Sequence, residues 1–253
     1  MIKNSIAVVA SGLILAACAA DEGNDNEQDN MTSSMSTSLN VLTDSEIADG
    51  WELLFDGKDI NANWRGYKME NAPTKWLVED GTIFFNPNAS GTNGDIISRE
   101  QYSEFEFSLE WKVAAASNSG IFYHAVEGDE YEFPYETAPE MQVVDNDRHA
   151  DGQIIEHQAG DLYDLMSSSV KNVRPVGDWN KVRIVVKGNM VQHWQNGEKI
   201  IETTMWDDNW ASLIADSKFA TWPGFGKSSI GHFALQDHGD PVWFRNLKVK
   251  KLD

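Results

Sequence analysis

The stretch Phe-Glu-Phe-Ser-Leu-Glu-Trp-Lys-Val at positions 105–113 decides the fold class. Apolar side chains stand at each odd position of this run, and polar side chains stand at each even position. Successive side chains of a β-strand point to opposite faces of a sheet, so a period of two places one whole face of the segment in a core. The segment is therefore predicted to be a half-buried strand whose polar face points away from the core.

Other segments repeat this pattern or supply the turns between strands. The runs 182–186 and 242–250 also alternate, and the second is predicted to close a sheet as its last strand. Tight hairpin turns require positive φ angles, which the pairs Asp80-Gly81 and Asn196-Gly197 supply. These signals predict antiparallel hairpins on both sides of each turn.

One segment near 209–217 departs from this pattern, because it suits a short helix with Asp208 as a candidate N-cap. Many short strands with a single helical insert are typical of an all-β protein. The sequence therefore predicts a sandwich of antiparallel sheets or a jelly roll.

The N-terminus has the layout of a secretory signal peptide over residues 1–17. Its apolar run, 6–17, is shorter than the span of about 20 residues that a bilayer requires. The run ends in Leu15-Ala16-Ala17-Cys18, which resembles the lipobox of bacterial lipoproteins. The resemblance implies acylation of Cys18 and an exported, membrane-anchored protein in the periplasm, at the outer membrane or at the cell surface. The alternative is an ordinary signal peptide that carries a cysteine by chance.

Composition predicts how the remaining chain is organised. Residues 18–42 are mostly acidic, amide and hydroxyl side chains, which predicts a disordered acidic tether, and 43–253 is long enough for a single domain. Cys18 is the only cysteine, so no disulfide forms within the chain. The net charge of −20 would repel nucleic acid and suits a neutral small-molecule substrate. Contact with a membrane is expected only through the lipid anchor.

The most informative polar positions begin at Glu140. In a strand, Glu140 and Gln142 share the face opposite to the core, and Asp145 stands at the strand end. On a solvated sheet face such a ridge would have no special role. On the concave face of a jelly roll it would line a cleft.

The loop after this strand concentrates acids, imidazoles and a phenol: it contains His149, Asp151, Glu156, His157 and Tyr163. Such groups can supply a general base, a proton donor or metal ligands. Each of them alone is more often a surface or structural residue. Their density makes the loop a candidate site.

Four further residues are candidates for binding a substrate. Asn118 lies in a loop before a strand, His238 lies at a strand end, and Glu110 lies on the polar face of its strand. Trp222 lies in a loop rich in Pro and Gly, where its ring could stack on a sugar or instead cover the core.

Several common catalytic motifs are missing from the sequence. It contains no Gly-x-Ser-x-Gly elbow, no His-Glu-x-x-His pair, no phosphate-binding Walker loop and no dinucleotide fingerprint. A serine hydrolase, a zinc protease and a nucleotide enzyme therefore have little support.

An ordered set of segments resembles the 3-keto-disaccharide hydrolase domain family, and it spans the predicted domain. The segments are Trp51–Lys58, Asn118–Tyr123, Glu140–Asp145, Gly160–Leu165, Trp179-Asn180, Asn196-Gly197 and Leu235–Gly239 through Phe244–Asn246. The resemblance implies a concanavalin-like jelly-roll sandwich of two antiparallel sheets. It also implies cleavage of glycosides that are already oxidised at C3.

The chemistry of such substrates suggests roles for the candidate residues. A ketone at C3 acidifies the proton at C2, so a base can form an enolate that expels the C1 substituent, after which water adds. Under this resemblance His157 or His149 is the base, and Glu140 or Asp145 orients it. A divalent metal ion held by His149, His157 and an acid is an open possibility for the cofactor.

The same hypothesis assigns the remaining candidates to the substrate. Gln142 and Asn118 would hold hydroxyl groups, and Tyr163 or His238 would protonate the leaving oxygen. The chain departs from the family pattern at His124, where a basic residue such as arginine is expected, and over 210–226, which is longer than typical. Both departures bear on the substrate more than on the fold.

Two alternatives to an enzyme remain open at this point. The same fold commonly supports a carbohydrate-binding module without catalysis, since fold does not settle function. A surface lipoprotein with a structural or adhesive role could use Ca²⁺ in its acidic loops. A convergent set of imidazoles and acids would favour the enzyme.

Overall fold

A computed structural model describes residues 39–252 of the chain. This part contains thirteen β-strands and two short α-helices, joined by loops and single turns of 3₁₀ helix. The helices are α1 (Asp44–Ala48) and α2 (Asp208–Ala215). The strands are β1 (Trp51–Leu53), β2 (Trp64–Gly66), β3 (Trp76–Glu79), β4 (Thr82–Phe85), β5 (Ile96–Ser98), β6 (Phe105–Val113), β7 (Asn118–Ala125), β8 (Glu140–Val144), β9 (Asn180–Lys187), β10 (Met190–Gln195), β11 (Glu198–Thr204), β12 (His232–Leu235) and β13 (Val242–Lys251).

The strands form two antiparallel sheets. The eight-stranded sheet has the order β11-β10-β9-β6-β13-β4-β3, with β1 also paired to β13, and the five-stranded sheet has the order β2-β5-β12-β7-β8. This arrangement confirms the predicted all-β, jelly-roll sandwich of two antiparallel sheets. Strand β13 lies between β6 and β4, so it does not close a sheet at its edge as the sequence suggested.

The core lies between the two sheets. Phe107 of β6 stacks on Phe233 of β12 with ring centroids 4.0 Å apart, and Phe105 meets the same ring edge-on at 4.7 Å. The odd positions of 105–113 are all buried, as the alternation predicted. Burial of these large side chains, at about 25 cal/mol per Å² of apolar surface, holds the sheets together without a disulfide.

The strands that position the site are buried on both faces. Every residue of β7 and of β8 is buried. Met141 and Ile121 belong to the core between the sheets, so Glu140 and Gln142 lie on the outer face of β8. Loops cover this outer face, which is why period two is not visible in the burial of these strands.

Three local features refine the predictions. Helix α2 begins one residue earlier than expected, because Asp207 rather than Asp208 accepts a hydrogen bond from the backbone N–H of Trp210. It ends at Ala215, since Ser217 already caps the following 3₁₀ helix. The turns at Asp80-Gly81 and Asn196-Gly197 join hairpin strands with positive φ at all four residues, as predicted.

The folded part begins before the predicted boundary at Thr43. Asn40 is buried, its side chain donates to the carbonyl of Gly81, and it exchanges two hydrogen bonds with Asn246 of β13. The predicted signal peptide, the acylation of Cys18 and the tether up to residue 38 lie outside the described residues. No helix within 39–252 is long and apolar enough to cross a membrane.

Candidate active site

A cleft of about 560 Å³ lies over the outer face of the five-stranded sheet. Strands β7 and β8 supply its floor through Asn118, Glu140 and Gln142, and the loops around the sheet supply its walls. The other lining residues are Asn93, Gly94, Asp95, Phe133, Tyr135, Asp151, Tyr163, Lys218, Phe219, Trp222, Gln236, Asp237 and His238. A cleft of this size, with aromatic and polar walls, suits a small sugar ligand.

Glu140 is a buried carboxyl group on the floor of the cleft, and its pKa is strongly raised. It is 7% exposed, and its side chain lies over Gly120 of the neighbouring strand: a Cβ at Gly120 would stand 2.0 Å from Oε1 of Glu140. Burial raises the pKa of Glu140 to about 8, and the nearby carboxylates of Asp95 and Asp151 act in the same direction. A carboxyl group with such a pKa is suited to proton transfer near neutral pH.

Lys218 brings the one positive charge among the side chains that line the cleft, not counting histidine. Its ammonium lies 4.1 Å from the ring centroid of Tyr163, and its charge partly offsets the rise in the pKa of Glu140. The carboxylate of Asp164 fixes the backbone of Lys218 by accepting its N–H at 2.7 Å. The lysine therefore faces the same space as Glu140 and Tyr163.

His157 lies outside the cleft lining, behind Tyr163 and Asp151. Its ring packs on Tyr163 at 4.2 Å, and its Nε2 lies 2.6 Å from Oδ1 of Asp164. Its Nδ1 is buried, finds no hydrogen-bond partner among the described residues and lies 3.6 Å from Oδ1 of Asp151. The predicted role as base at the substrate does not fit this position, because Tyr163 and Asp151 line the cleft and the imidazole does not.

At one end of the cleft, the lining residues Asn118, Asp151 and His238 contact His149 and Asp240, which lie just outside the lining. Asn118 donates its side-chain N–H to Asp151 at 2.8 Å and its backbone N–H to Asp240 at 3.1 Å. The rings of His149 and His238 meet edge-on at 5.6 Å. Ligand atoms of His149, His238 and Asp240 lie within 4.8 Å of one another. His157 takes no part in this group, so the predicted metal pair of His149 and His157 is replaced here by His149 and His238.

Two acidic residues, Asp95 and Asp237, lie just before β5 and just after β12. Asp95 is buried and accepts the backbone N–H of Asp237 at 2.7 Å, while Asp237 accepts the N–H of Gly94 at 2.7 Å. Burial raises the pKa of Asp95 to about 7. Both side chains line the cleft, where neighbouring carboxyl groups can accept hydrogen bonds from two hydroxyl groups.

Aromatic rings form the opposite wall. Trp222 lies 5.7 Å from Tyr135 and 5.1 Å from Phe219, and Tyr135 stacks on Phe133 at 4.9 Å. Trp222 is half-buried, packs against the core and also lines the cleft. The wall offers flat apolar surface to the face of a sugar ring.

Two predicted site residues lie elsewhere. The carboxylate of Asp145 accepts the backbone N–H groups of Ala116 and Asp147, so it stabilises turns outside the cleft. Glu110 lies on the outer face of the eight-stranded sheet, where Arg245 at 2.7 Å and Asn246 at 2.9 Å bind its carboxylate. Neither side chain can reach a ligand in the cleft.

A family described as the 3-keto-alpha-glucoside-1,2-lyase-like domain matches residues 50–250. The chain belongs to this family. The resemblance that the sequence motifs indicated is thereby confirmed.

Relatives of this lyase-like family match between 80% and 98% of the chain. A 3-keto-disaccharide hydrolase of Bacteroides thetaiotaomicron is 39% identical over 98% of this chain and 95% of its own length. A solved structure of a candidate glycosyl hydrolase from Parabacteroides distasonis is 35% identical, covers 85% of this chain and 100% of its own, and superimposes with a TM-score of 0.78. A second from the same organism is 26% identical, with a TM-score of 0.59 over 80% of this chain and 84% of its own.

Sequence reasoning missed Lys218 and Asp95 in the site of this family member. Lys218 follows a helical segment that carries no catalytic motif, and only the fold brings it to Tyr163. Asp95 precedes a three-residue strand whose short length gives no clear periodicity. Asp237 lies in the polar cluster 236–239, of which only His238 is a candidate from sequence. No motif or periodicity in the sequence points to Lys218 or Asp95 as a site residue.

Proposed function

We propose that the protein hydrolyses glycosides and disaccharides whose sugar ring carries a ketone at C3, by removal of the C2 proton, expulsion of the C1 substituent and addition of water. Membership of the family makes the chain a glycoside-cleaving enzyme. The observation that carries the proposed mechanism is the buried carboxyl group of Glu140 on the cleft floor, whose pKa burial raises to about 8.

The reaction needs a base for the C2 proton, a positive charge near the C3 oxygen and a proton donor for the leaving oxygen. In the first step a base takes the proton from C2, and the electron pair of that C–H bond forms the enolate with the negative charge on the C3 oxygen. In the second step the enolate re-forms the ketone as the C1–oxygen bond breaks and the leaving oxygen takes a proton. Water then adds across the C1–C2 double bond, with its hydroxyl on C1 and its proton on C2, which gives the free 3-keto sugar.

The cleft contains a group for each of these tasks. The carboxylate of Glu140 is the base, and its raised pKa makes it stronger than an ordinary glutamate. Lys218 places a positive charge in the same space, where it can stabilise the enolate oxygen. Tyr163 is the proton donor to the leaving oxygen, since burial and nearby carboxylates raise its pKa and keep its hydroxyl protonated.

Other side chains hold the sugar. Asn118 and Gln142 flank Glu140 on the sheet, and the oxygen Oδ1 of Asn118 is buried with no hydrogen-bond partner among residues 39–252. Asp95 and Asp237 can accept hydroxyl protons, and Trp222 can cover the ring face. A site that hydrogen-bonds several hydroxyls discriminates strongly against analogues that lack them, because its buried polar groups are then left unpaired.

Turnover of an oxidised substrate is the first expected result. The purified protein should release glucose from 3-keto-trehalose and should leave trehalose intact, because only the ketone acidifies the C2 proton. Released sugar would be measured over time. Glu110→Gln serves as a matched control, since this glutamate lies on the far sheet and its loss should leave turnover unchanged. Binding of unoxidised glycans without any release from the keto substrate would instead assign a carbohydrate-binding module.

The group of His149, His238 and Asp240 is the place where a divalent cation would add to this chemistry. Two imidazoles and a carboxylate form a donor set that suits Mn²⁺, Zn²⁺ or Fe²⁺. The backbone N–H of Asp151 now donates to Nδ1 of His149, and Oδ2 of Asp151 lies 3.9 Å from the same atom. A bound cation would stabilise negative charge on the substrate.

Metal removal is therefore expected to lower turnover. Treatment with EDTA should reduce release from 3-keto-trehalose, and added Mn²⁺ should restore it. His238→Ala should remove the response to both reagents, while Glu110→Gln should keep it. Full turnover of the wild type after EDTA treatment would exclude the cation and leave the enolate charge to Lys218.

A further inference from the structure

A second groove, of about 570 Å³, lies beside the cleft, between helix α2 and the segment 220–227. Its walls are mainly Trp206, Trp210, Ile214, Trp222 and Phe225. None of these residues has a part in the proposed reaction except Trp222. The groove belongs to the stretch that is longer than the family pattern predicts.

Two polar side chains of the groove, Trp210 and Asp207, are engaged within the protein. Trp210 donates its Nε1–H to the carbonyl of Gly226 at 3.0 Å. The carboxylate of Asp207 caps helix α2 through the N–H of Trp210 and also accepts the hydroxyl of Thr204. Lys227 is exposed. Most of the other lining residues are apolar, which suits an uncharged aromatic or alicyclic group.

Trp206 shows backbone strain at this groove. Its φ is 65°, a region that bulky side chains avoid, and its indole is 37% exposed and stacks on His124 with centroids 6.1 Å apart. Strained residues of this kind persist where the surrounding structure enforces them and are concentrated at ligand sites. The exposed indole forms one side of the groove.

Trp222 connects the groove with the cleft. Its indole lines both, and the chain passes directly from the cleft residues Lys218 and Phe219 to the groove residues Ala220 and Thr221. The cleft contains the charged and amide side chains that would hold a sugar, whereas Asp207 and Lys227 are the charged residues among those that line the groove. A C1 substituent that extends from the cleft past Trp222 would meet the apolar side chains that line the groove.

We propose that this groove is a subsite for an apolar aglycone, so that the enzyme also takes 3-keto-glycosides of hydrophobic alcohols. The inference rests on the proposed function, since it assigns the sugar to the cleft. The occupant is the leaving group itself: a neutral aromatic or alicyclic group of about naphthyl size, packed between Trp206 and Trp222.

The test compares two substrates with similar leaving-group acidity, methyl 3-ketoglucoside and 2-naphthylmethyl 3-ketoglucoside. Burial of the naphthyl ring should lower KM by about tenfold or more relative to the methyl compound. Ala211→Glu places a charge in the groove at an exposed helical position and should remove this preference without changing the kinetics of the methyl compound. Ser212→Glu adds the same charge next to the groove and should keep the preference for the naphthylmethyl compound.

The outcomes separate the subsite from the reaction. Equal KM values for the two substrates in the wild type, or equal losses on both substrates in Ala211→Glu, would overturn the subsite. If neither substrate turns over, the proposed function fails, and binding still tests the groove. Unoxidised 2-naphthylmethyl glucoside should then change the tryptophan fluorescence of the wild type saturably and that of Ala211→Glu far less, and no change in the wild type would overturn the subsite.

Discussion

Replacing Glu140 with glutamine is expected to abolish turnover and, at neutral and alkaline pH, to raise the stability of the protein. Glutamine keeps the shape that fits over Gly120 but cannot accept the C2 proton. Loss of a general base alone costs about 10²–10⁴-fold in rate. We expect kcat for 3-keto-trehalose to fall by at least the upper part of this range, because no other carboxyl group on the cleft floor has the same position.

The gain in stability follows from the pKa of the same group. Burial raises the pKa of Glu140 from 4.5 to about 8 in the folded state. A group whose pKa is raised by folding stabilises the fold fully below its unfolded pKa, and this contribution is lost as the pH rises through the folded pKa. Wild-type stability should therefore decline between pH 4.5 and about 8 on account of Glu140. This decline has an upper bound of about 5 kcal/mol at 1.36 kcal/mol per pKa unit.

Thermal unfolding at two pH values checks this prediction. Glu140→Gln should unfold at a higher Tm than wild type at pH 8.5, by roughly 5 °C or more for a domain of this size. The two proteins should have nearly equal Tm values at pH 4, where the wild-type carboxyl is protonated in both states. Glu79→Gln, at an exposed position of β3, should show neither change. An equal or lower Tm for Glu140→Gln at pH 8.5 would mean that the carboxylate is stabilised in place and cannot be the strong base.

The contrast between Glu140 and Glu110 shows how far the sequence could predict the site. Both glutamates occupy the polar face of an alternating strand, and both lie on the side away from the core. Period two tells which face of a strand is buried, but it does not tell which of the two sheets carries the cleft. The outer face of β8 is covered by loops, whereas that of β6 meets Arg245. The pairing of strands that are distant in sequence determines which sheet carries the cleft, and therefore which of the two glutamates lies in it.

The fold itself was easier to predict, because its signals are local. The alternation over 105–113 and the turns at Asp80-Gly81 and Asn196-Gly197 depend on neighbouring residues only, and all three are present in the structure. Strand order is a long-range property: the sequence could not show that β13 pairs with β6 and β4 in the middle of a sheet.

His157 and Asp145 illustrate why residue type alone misplaces a role. Both have the chemistry of a catalytic group, yet neither lines the cleft, and the hydrogen bonds that they make are to the backbone or to a neighbouring side chain. Asp145 satisfies two backbone N–H groups of turns. His157 bonds the carboxylate of Asp164, which in turn fixes the backbone of Lys218. Such a hydrogen-bonding need depends on loop geometry, which no spacing in the sequence reveals.

Lys218→Met should lower kcat by about 10²–10³-fold, the usual cost of removing one group that stabilises an oxyanion in the transition state. Methionine keeps the length and the packing on Tyr163 and Phe219 but removes the charge. The KM should change little, since the negative charge on the C3 oxygen develops only as the C2 proton leaves. Lys218→Arg should retain part of the activity. Lys187→Met, at an exposed position at the end of β9 in the other sheet, serves as the control and should turn over like the wild type.

The pH profile of Lys218→Met distinguishes this role from a structural one. In the wild type kcat/KM should rise with pH and level off above about 8, because Glu140 acts only as the carboxylate. The charge of Lys218 lowers the pKa of Glu140, so its removal should move this rise to higher pH. A simple loss of packing would reduce the rate without moving the profile. An unchanged kcat together with an unmoved profile would place the enolate oxygen away from Lys218 and assign its charge to the end of the cleft that holds His149 and His238.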